Sequence, residues 1–418
     1  MRPVGDVLTG ALRGALAALV ALSVPAAPSV AGPIGPAPGW QLDRVVVVMR
    51  HGVRPPTKAE PLPPGLASAP WPAWDVDWGE LSHHGERAVA VLGTFDRATY
   101  GALLGTGCPA IHAVSDSGQR TVRTAEMYVA ALLPGCAVRV EHKPAGEKDP
   151  RFSPFDGTSL LLSDSALAAA GAALPQGGAA GLDRTLAGDW AMIDRILDCH
   201  TAACIAARPT SVSATGGKVK LNGALALGGS FSETLALEYA DGKPLAQVGW
   251  GRATREDITR LLELHSWEFA VTARPPLVAR EGATALLGEV AAALSAPGAP
   301  AFSLFVGHDT NLALLGGALG LHWHGAQFAP DDPPPGGALL FERWRNASGR
   351  YRLVVRFRSQ SLDEMRDLTP PGPRAVQPVA FARCDAGAGC DAAGLRAALS
   401  PGHPSSQSGR PITGSPAR

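Results

Sequence analysis

The chain has 418 residues, of which 46% are hydrophobic and 18% are charged, so it is long and apolar enough to fold as one large or two moderate domains. Basic and acidic side chains balance, which gives a formal net charge of zero. This balance excludes a global basic field for nucleic acid, so we expect no nucleic-acid partner and look for a local anion site.

The first 31 residues have the layout of a secretory signal peptide. Arg2 and Arg13 supply positive charge, residues 15–24 form a short apolar core, and Ser29–Ala31 offers small residues for cleavage. The apolar run is short for an ordinary spanning helix, although an uncleaved anchor is the alternative interpretation. We therefore expect a periplasmic or secreted protein that has no membrane partner once the signal is removed.

Three apolar runs predict strands that each lead into a polar cluster and then a helix. These runs cover 45–49, 111–114 and 302–306, and helical periodicity follows at 119–133 and 311–319. Repeated strand–loop–helix units predict an α/β fold with a mostly parallel sheet and flanking helices. Later in the chain, the alternation of 339–344 and 351–357 predicts a hairpin.

The sequence pattern changes in the middle of the chain, where Ala/Leu-rich helical stretches replace the strand-like runs. We interpret this part as a smaller, mostly helical inserted domain, and the Pro/Ser/Gly-rich end as a disordered tail. The predicted division is a signal peptide at 1–31, a discontinuous α/β catalytic domain at 40–154 and 276–395, a helical insertion domain at 155–275, and a disordered tail at 401–418.

Six cysteines suit an oxidising compartment and predict disulfides. The spacing suggests local pairs, although six cysteines allow many pairings and sequence alone does not fix them. The suggested pairs are Cys108 with Cys136, Cys199 with Cys204, and Cys384 with Cys390. A zinc site is the weaker interpretation, because no two cysteines have CxxC spacing.

The most informative stretch is 45–58, which reads VVVVMRHGVRPPTK. Four valines form a buried strand, and Arg50, His51 and Arg54 follow it directly. Like charges beside a core are costly, but two guanidinium groups around one imidazole suit a phosphate, which His51 could then attack. A basic strand end at the surface is the alternative interpretation.

Two further strand ends carry matching groups. Asp116 and Arg120 follow the second strand, and His308 and Asp309 follow the third, each at the start of a predicted helix. Ligands of open α/β sheets bind beyond the carboxyl ends of the strands, and helix N-termini favour anions. Both aspartates are also good helix caps, so capping is the alternative for each cluster taken alone.

The stretch RHGVRPPTK at 50–58 resembles the signature of the histidine acid phosphatases, branch 2 of the histidine phosphatase superfamily. GHDTNLALLGGALG and SDSGQRTVRTAE are similar to two further motifs of that family, and the likeness extends over roughly 40–395. Within this family, the chain most resembles the bacterial periplasmic phytases and glucose-1-phosphatases. WPAWDVDWGELSHHG at 71–85 and PPPGGALLFERWR at 333–345 look like that branch too.

The resemblance implies a role for each of these side chains. His51 would be the nucleophile that forms a phosphohistidine, and Asp309 in its acid form would protonate the leaving oxygen. The implied phosphate-binding residues are Arg50, Arg54, Arg120 and His308. Arg123 is the rival to Arg120, which we prefer because it lies nearer the strand end. The arginines supply the electrostatics, so we expect no metal and no cofactor.

The resemblance also implies a small-molecule phosphomonoester substrate, with phytate (inositol hexakisphosphate) as its leading form. We expect Thr57, Lys58, Asp116 and Glu233 to contact the substrate, with a solvated lysine and a plain helix glutamate as the alternatives for Lys58 and Glu233. A glucose-1-phosphatase-like sugar phosphatase is the second hypothesis, and a non-catalytic phosphate-binding protein is the third. We expect the protein to be a monomer.

Overall fold

The structure is a computed structural model that describes residues 35, 38–156, 159–202, 204–381, 383–384 and 389–400. The predicted signal peptide and the predicted tail therefore lie outside the described residues. Among the helices of the described ranges, none is both long enough and apolar enough to cross a membrane.

A seven-stranded sheet forms the centre of the fold, in the order β3-β2-β6-β1-β7-β8-β9. Its first four strands in this order are parallel, and the last three continue the sheet antiparallel. The predicted α/β fold is confirmed, and the predicted hairpin is β7 with β8. The strands are β1 Trp40–Arg50, β2 Ile111–Ser115, β3 Val140–Glu141, β6 Phe302–Gly307, β7 Ala338–Asn346, β8 Tyr351–Arg358 and β9 Val376–Val379.

Helices cover both faces of this sheet, which explains the unbroken valine run of β1. Val45 and Val47 face one side, while Val46 and Val48 belong to the apolar cluster on the other. A strand that is buried on both faces has no polar side to show as alternation. The flanking helices are α1 His83–Leu104 and α2 Gln119–Leu132 on the first side, and α8 Pro276–Ser295, α9 Asp309–Leu319 and α11 Ala392–Ala398 on the second.

The chain between β3 and α8 is mainly helical and has an apolar cluster of its own. It contains α3 Ser163–Ala173, α4 Gly178–Thr185, α5 Ala187–Leu197, α6 Ala224–Ala240 and α7 Arg255–Thr272, and α10 Leu362–Asp367 later packs against it. A two-stranded hairpin of β4 Ser211–Thr215 and β5 Lys218–Asn222 interrupts the helices, which the sequence analysis did not predict. The domain boundaries themselves stay a prediction.

The cysteines pair locally, as their spacing suggests. The disulfides join Cys108 with Cys136, Cys199 with Cys204, and Cys384 with Cys390, with Cα–Cα distances of 5.4, 5.9 and 5.4 Å. Such distances are ordinary for disulfides.

Candidate active site

His51 lies at the end of β1, where backbone hydrogen bonds hold it from both sides. Its N–H donates to the carbonyl of Gly307 at 3.0 Å, and its own carbonyl accepts from Gly336 N–H at 3.0 Å. Arg50 N–H donates to the carbonyl of Gly337 at 2.9 Å. The backbone that carries the imidazole is thus fixed between β6 and the loop that leads into β7.

Gly52 fixes the imidazole ring itself. The Nδ1 atom of His51 lies 2.9 Å from the carbonyl of Gly52, so Nδ1–H donates there and Nε2 carries the lone pair, which accepts a long hydrogen bond from Arg54 Nε. A methyl group at Gly52 would collide with Val89 and Leu81, because α1 packs directly on this loop. The loop therefore needs a glycine, and the resulting tautomer presents Nε2 as a nucleophile.

The surroundings of His51 keep its ring neutral. Only 1% of the residue is exposed. Burial lowers the pKa of His51 well below its ordinary value of 6.5, and the positive charges of Arg54, Arg120 and Arg50 lower it further. The imidazole is consequently unprotonated even in acid, which is the state that can attack phosphorus.

Two guanidinium groups converge beside this ring and contact carboxylates. Arg50 Nη2 pairs with Glu233 Oε1 of α6 and, at 3.0 Å, with Asp309 Oδ2 of α9. Arg54 Nη2 lies 3.3 Å from the same Glu233 oxygen, and its Nε lies 3.5 Å from His51 Nε2. Glu233 thus occupies the fork of the two arginines, where an anion with more oxygens could replace it.

The N-terminus of α9 meets the end of β2 on the other side of His51. His308 Nε2 pairs with Asp116 Oδ2 at 2.6 Å, and the rings of His308 and His51 lie 5.6 Å apart, centroid to centroid. Burial would raise the pKa of Asp116, but the hydrogen bond from His308 and the amide of Ser117 lower it on balance. Asp116 is therefore an ionised carboxylate, and it orients the ring of His308.

Arg120 and Arg123 lie in different surroundings. Burial, and then the neighbouring charge of Arg54, lower the pKa of Arg120, so this guanidinium shares the site with the β1 arginines. Arg123 instead pairs with Glu86 at 2.5 Å and Glu126 at 3.2 Å on the outside of α1 and α2. This geometry supports the preference for Arg120.

The charge state of Asp309 differs from the acid form that the sequence analysis assigns to it. Burial would raise the pKa of Asp309, but Arg50, His265, His51 and His308 together hold it well below its ordinary value. The carboxyl is therefore ionised while it pairs with Arg50. Any proton that it donates has to reach it after substrate has bound.

Thr57 and Lys58 follow the site but stay at the surface. Both residues are exposed, and Thr57 packs against Gly79, whose carbonyl lies 3.5 Å from Arg120 Nη1. The two residues thus lie at the rim of the site rather than within it.

A buried ion pair behind the site was missed by the sequence analysis. His265 of α7 pairs with Asp332 at 2.7 Å, and both side chains are buried. Burial would lower the pKa of His265, but Asp332 and, more weakly, Glu233 raise it to about 9. His265 is one polar residue in a helical stretch without any flanking motif, so no sequence signal singles it out.

Glu233, His265 and Asp309 lie close enough together for their ligand atoms to surround a cation. Their contacts argue against this use, since Arg50 already bridges both carboxylates and His265 is protonated below pH 9. A histidine that binds a metal ion has to be a neutral imidazole with an accessible lone pair.

An α/β sheet with a neutral imidazole among arginines at its strand ends is the arrangement of a phosphoryl-transfer enzyme. The family model of the histidine phosphatase superfamily (branch 2) matches residues 41–177. The phytase AppA of Escherichia coli strain K12 is 36% identical over 365 residues, which cover 80% of this chain and 84% of the relative. A glucose-1-phosphatase of Salmonella typhimurium is 28% identical over 351 residues, 79% and 83% of the two chains.

Solved structures agree with these relatives. The Citrobacter braakii phytase has a TM-score of 0.78 and 29% identity, and covers 86% of this chain and 97% of its own. The Hafnia alvei phytase in complex with myo-inositol hexakis sulphate has a TM-score of 0.78 and 28% identity, with 87% and 97% covered. The chain belongs to the histidine phosphatase superfamily, branch 2, and is a phosphoric monoester hydrolase of the histidine acid phosphatase type.

Proposed function

We propose that the protein is a phytase-like acid phosphatase that hydrolyses phosphomonoesters through a phosphohistidine at His51. The observation that carries the proposal is the unprotonated Nε2 of a buried imidazole whose Nδ1 is held by Gly52, with Arg50 and Arg54 beside it. A phosphate dianion that entered the fork would replace Glu233 there. Arg120 and His308 would bind its remaining oxygens.

The reaction then proceeds in two displacements. His51 Nε2 forms a bond to phosphorus while the bond to the leaving oxygen breaks, and Asp309 gives that oxygen a proton. Water next attacks phosphorus and gives a proton to Asp309, the N–P bond breaks, and inorganic phosphate leaves. Asp309 is then protonated and His51 neutral, and Asp309 ionises again when phosphate leaves and Arg50 pairs with its carboxylate.

The first proton arrives with the substrate. Because the second pKa of a phosphomonoester is about 6, each phosphate group of the substrate is mostly a monoanion at pH 4–5, and it becomes the bound dianion when its proton passes to Asp309. Its charge also offsets that of Arg50, the main charge that holds the pKa of Asp309 down. The proton on the substrate, and the loss of the attraction between Arg50 and the Asp309 carboxylate, together favour an acidic pH optimum of turnover. An optimum near pH 8 with turnover that EDTA abolishes would contradict this scheme.

Substitution of the two catalytic residues tests the proposal. We expect His51→Ala to lose turnover of every phosphomonoester. Asp309→Asn should lose about 10²–10⁴-fold on phytate, whose alkoxide needs a proton, and much less on p-nitrophenyl phosphate, whose leaving group does not. His83→Ala is the control, since this histidine is exposed and pairs with Asp75 at the surface. Full turnover by His51→Ala would refute the mechanism, and absence of turnover in wild type would leave a plain phosphate-binding protein.

Phytate is the proposed substrate because the Escherichia coli phytase is more similar to this chain than the glucose-1-phosphatases are. Lys58 at the rim offers a cation for a phosphate next to the one under attack. Glucose-1-phosphate is the second candidate, because two relatives are named for that activity. Comparison of kcat/KM for phytate and glucose-1-phosphate at pH 4–5 decides between them, and a higher value for the sugar phosphate would favour the second.

We also expect the protein to act outside the cytoplasm, in the periplasm or after secretion. Three disulfides support this location, because reducing compartments do not maintain them. The monomeric state stays a prediction, which the mass of the protein in solution will test.

A further inference from the structure

Glu268 is a carboxylic acid beside the active site to which the mechanism above gives no role. It lies on α7, one turn after His265, and is only partly buried. Its carboxyl packs on Gly229 of α6, where a methyl group would collide with Oε2. Gly229 is one helical turn before Glu233, so the carboxyl lies along the same face of α6 that reaches the arginine fork.

Within the described part of the chain, the carboxyl of Glu268 makes no hydrogen bond or ion pair. The charged groups that face it are His265 from α7, Glu233 from α6 and Asp309 from α9. All three belong to the site or support it. A half-buried polar group that lacks a partner, and that three active-site groups surround, is placed for a ligand.

The surroundings also decide which form of the acid is present. Burial raises the pKa of Glu268 to about 7; the positive charge of His265 opposes this rise, and the negative charges of Glu233 and Asp309 add to it. Below that pH the side chain is a neutral acid with one O–H to donate. Above it, a third carboxylate would face the space that an anionic substrate has to enter.

We infer that Glu268 is a specificity-determining residue that binds a second phosphate group of a polyphosphorylated substrate by donating its carboxyl proton to a phosphate oxygen. This inference rests on the proposed function, in which the first phosphate occupies the fork of Arg50 and Arg54. The protonated acid acts as a donor at acid pH, and its ionised form repels the same phosphate at neutral pH. A substrate with a single phosphate gains nothing from this contact.

The test compares phytate with p-nitrophenyl phosphate at pH 5 and pH 8. Glu268→Gln keeps a donor but does not ionise, so the rise in KM for phytate between the two pH values should be about fivefold smaller than in wild type. For p-nitrophenyl phosphate the rise should equal that of wild type. Glu268→Ala should raise the phytate KM about fivefold at pH 5, since the donor is lost.

Glu263→Gln is the matched control. It lies on the same helix but is exposed, and the charges near it are Asp189 and Arg260. Its KM values should follow wild type at both pH values. The inference is overturned if Glu268→Gln shows the wild-type rise for phytate, or if the rise changes equally for p-nitrophenyl phosphate.

The two proposals fail differently. Wild-type protein that turns over neither substrate at pH 5 would refute the proposed function and this inference with it. Normal turnover, together with an unchanged pH dependence in Glu268→Gln, would refute the role of Glu268 alone. Circular dichroism of each variant establishes whether it is folded. If Glu268→Gln is unfolded, Glu268→Ala gives a second measurement of the contact.

Discussion

Replacement of His265 by glutamine tests whether the ion pair behind the active site stabilises the fold. In wild type the imidazolium pairs with Asp332 at 2.7 Å, and neither side chain reaches solvent. Glutamine has a similar reach and an N–H that can donate to the same carboxylate, but it carries no charge. His265→Gln therefore removes the charge with little change in packing.

The size of the effect follows from the raised pKa of His265. A pKa of about 9 in the folded state, against an ordinary value of 6.5, corresponds to about 3 kcal/mol of unfolding free energy. Because the folded-state pKa is the higher one, this stabilisation is complete below pH 6.5 and is lost as the pH rises through 9. The unfolding free energy of wild type should thus exceed that of His265→Gln by about 3 kcal/mol at pH 5.5 and by little at pH 9.5.

Urea unfolding of both proteins at several pH values between 5.5 and 9.5 measures this difference. Comparison of the two proteins cancels the titration of those groups whose pKa does not depend on the charge of His265. His83→Gln is the control, because this histidine is 62% exposed and an ion pair in water contributes at most about 1 kcal/mol. A stability difference between wild type and His265→Gln that stayed the same at all pH values would refute the reasoning.

Two further predictions concern stability. Removal of the Cys108–Cys136 disulfide, which spans 28 residues, should lower the unfolding free energy by about 1.5 kcal/mol more than removal of Cys199–Cys204, which spans 5, as paired serine variants in urea will measure. Burial raises the pKa of Glu238 from 4.5 to about 8. The unfolded chain therefore loses this proton at a lower pH than the folded protein, and wild type becomes less stable as the pH rises above 4.5. Glu238→Gln should therefore gain about 4 kcal/mol of unfolding free energy over wild type between pH 4 and pH 8, and equal pH profiles would contradict that.

The parts of the site that could be predicted from sequence are those at strand ends. The valine run of β1 identifies a strand with both faces buried, and parallel neighbours bring their carboxyl ends to one edge of the sheet. Arg50, Asp116 and His308 therefore had to lie near one another once the strands were known. Local pattern and topology together are sufficient for this inference.

The contributions of the helical part could not be predicted in the same way. His265 and Glu268 reach the site because α7 packs beside α6 and approaches α9, and no local pattern encodes that approach. The hairpin of β4 and β5 was missed because its alternating residues are short and polar between long helical stretches. Propensity is a weak guide where tertiary packing decides the outcome.

The ion pairs of Arg50 explain how one set of charges can serve both binding and proton transfer. Two carboxylates, Glu233 and Asp309, share the guanidinium of Arg50 and so compensate a buried charge that would otherwise be costly. A bound phosphate takes over this compensation, and both carboxylates lose their main cationic partner. The pKa of Asp309 then rises because the attraction that held it down is gone. In the proposed mechanism, substrate binding itself would thus convert a resting carboxylate into the proton donor that the leaving group needs.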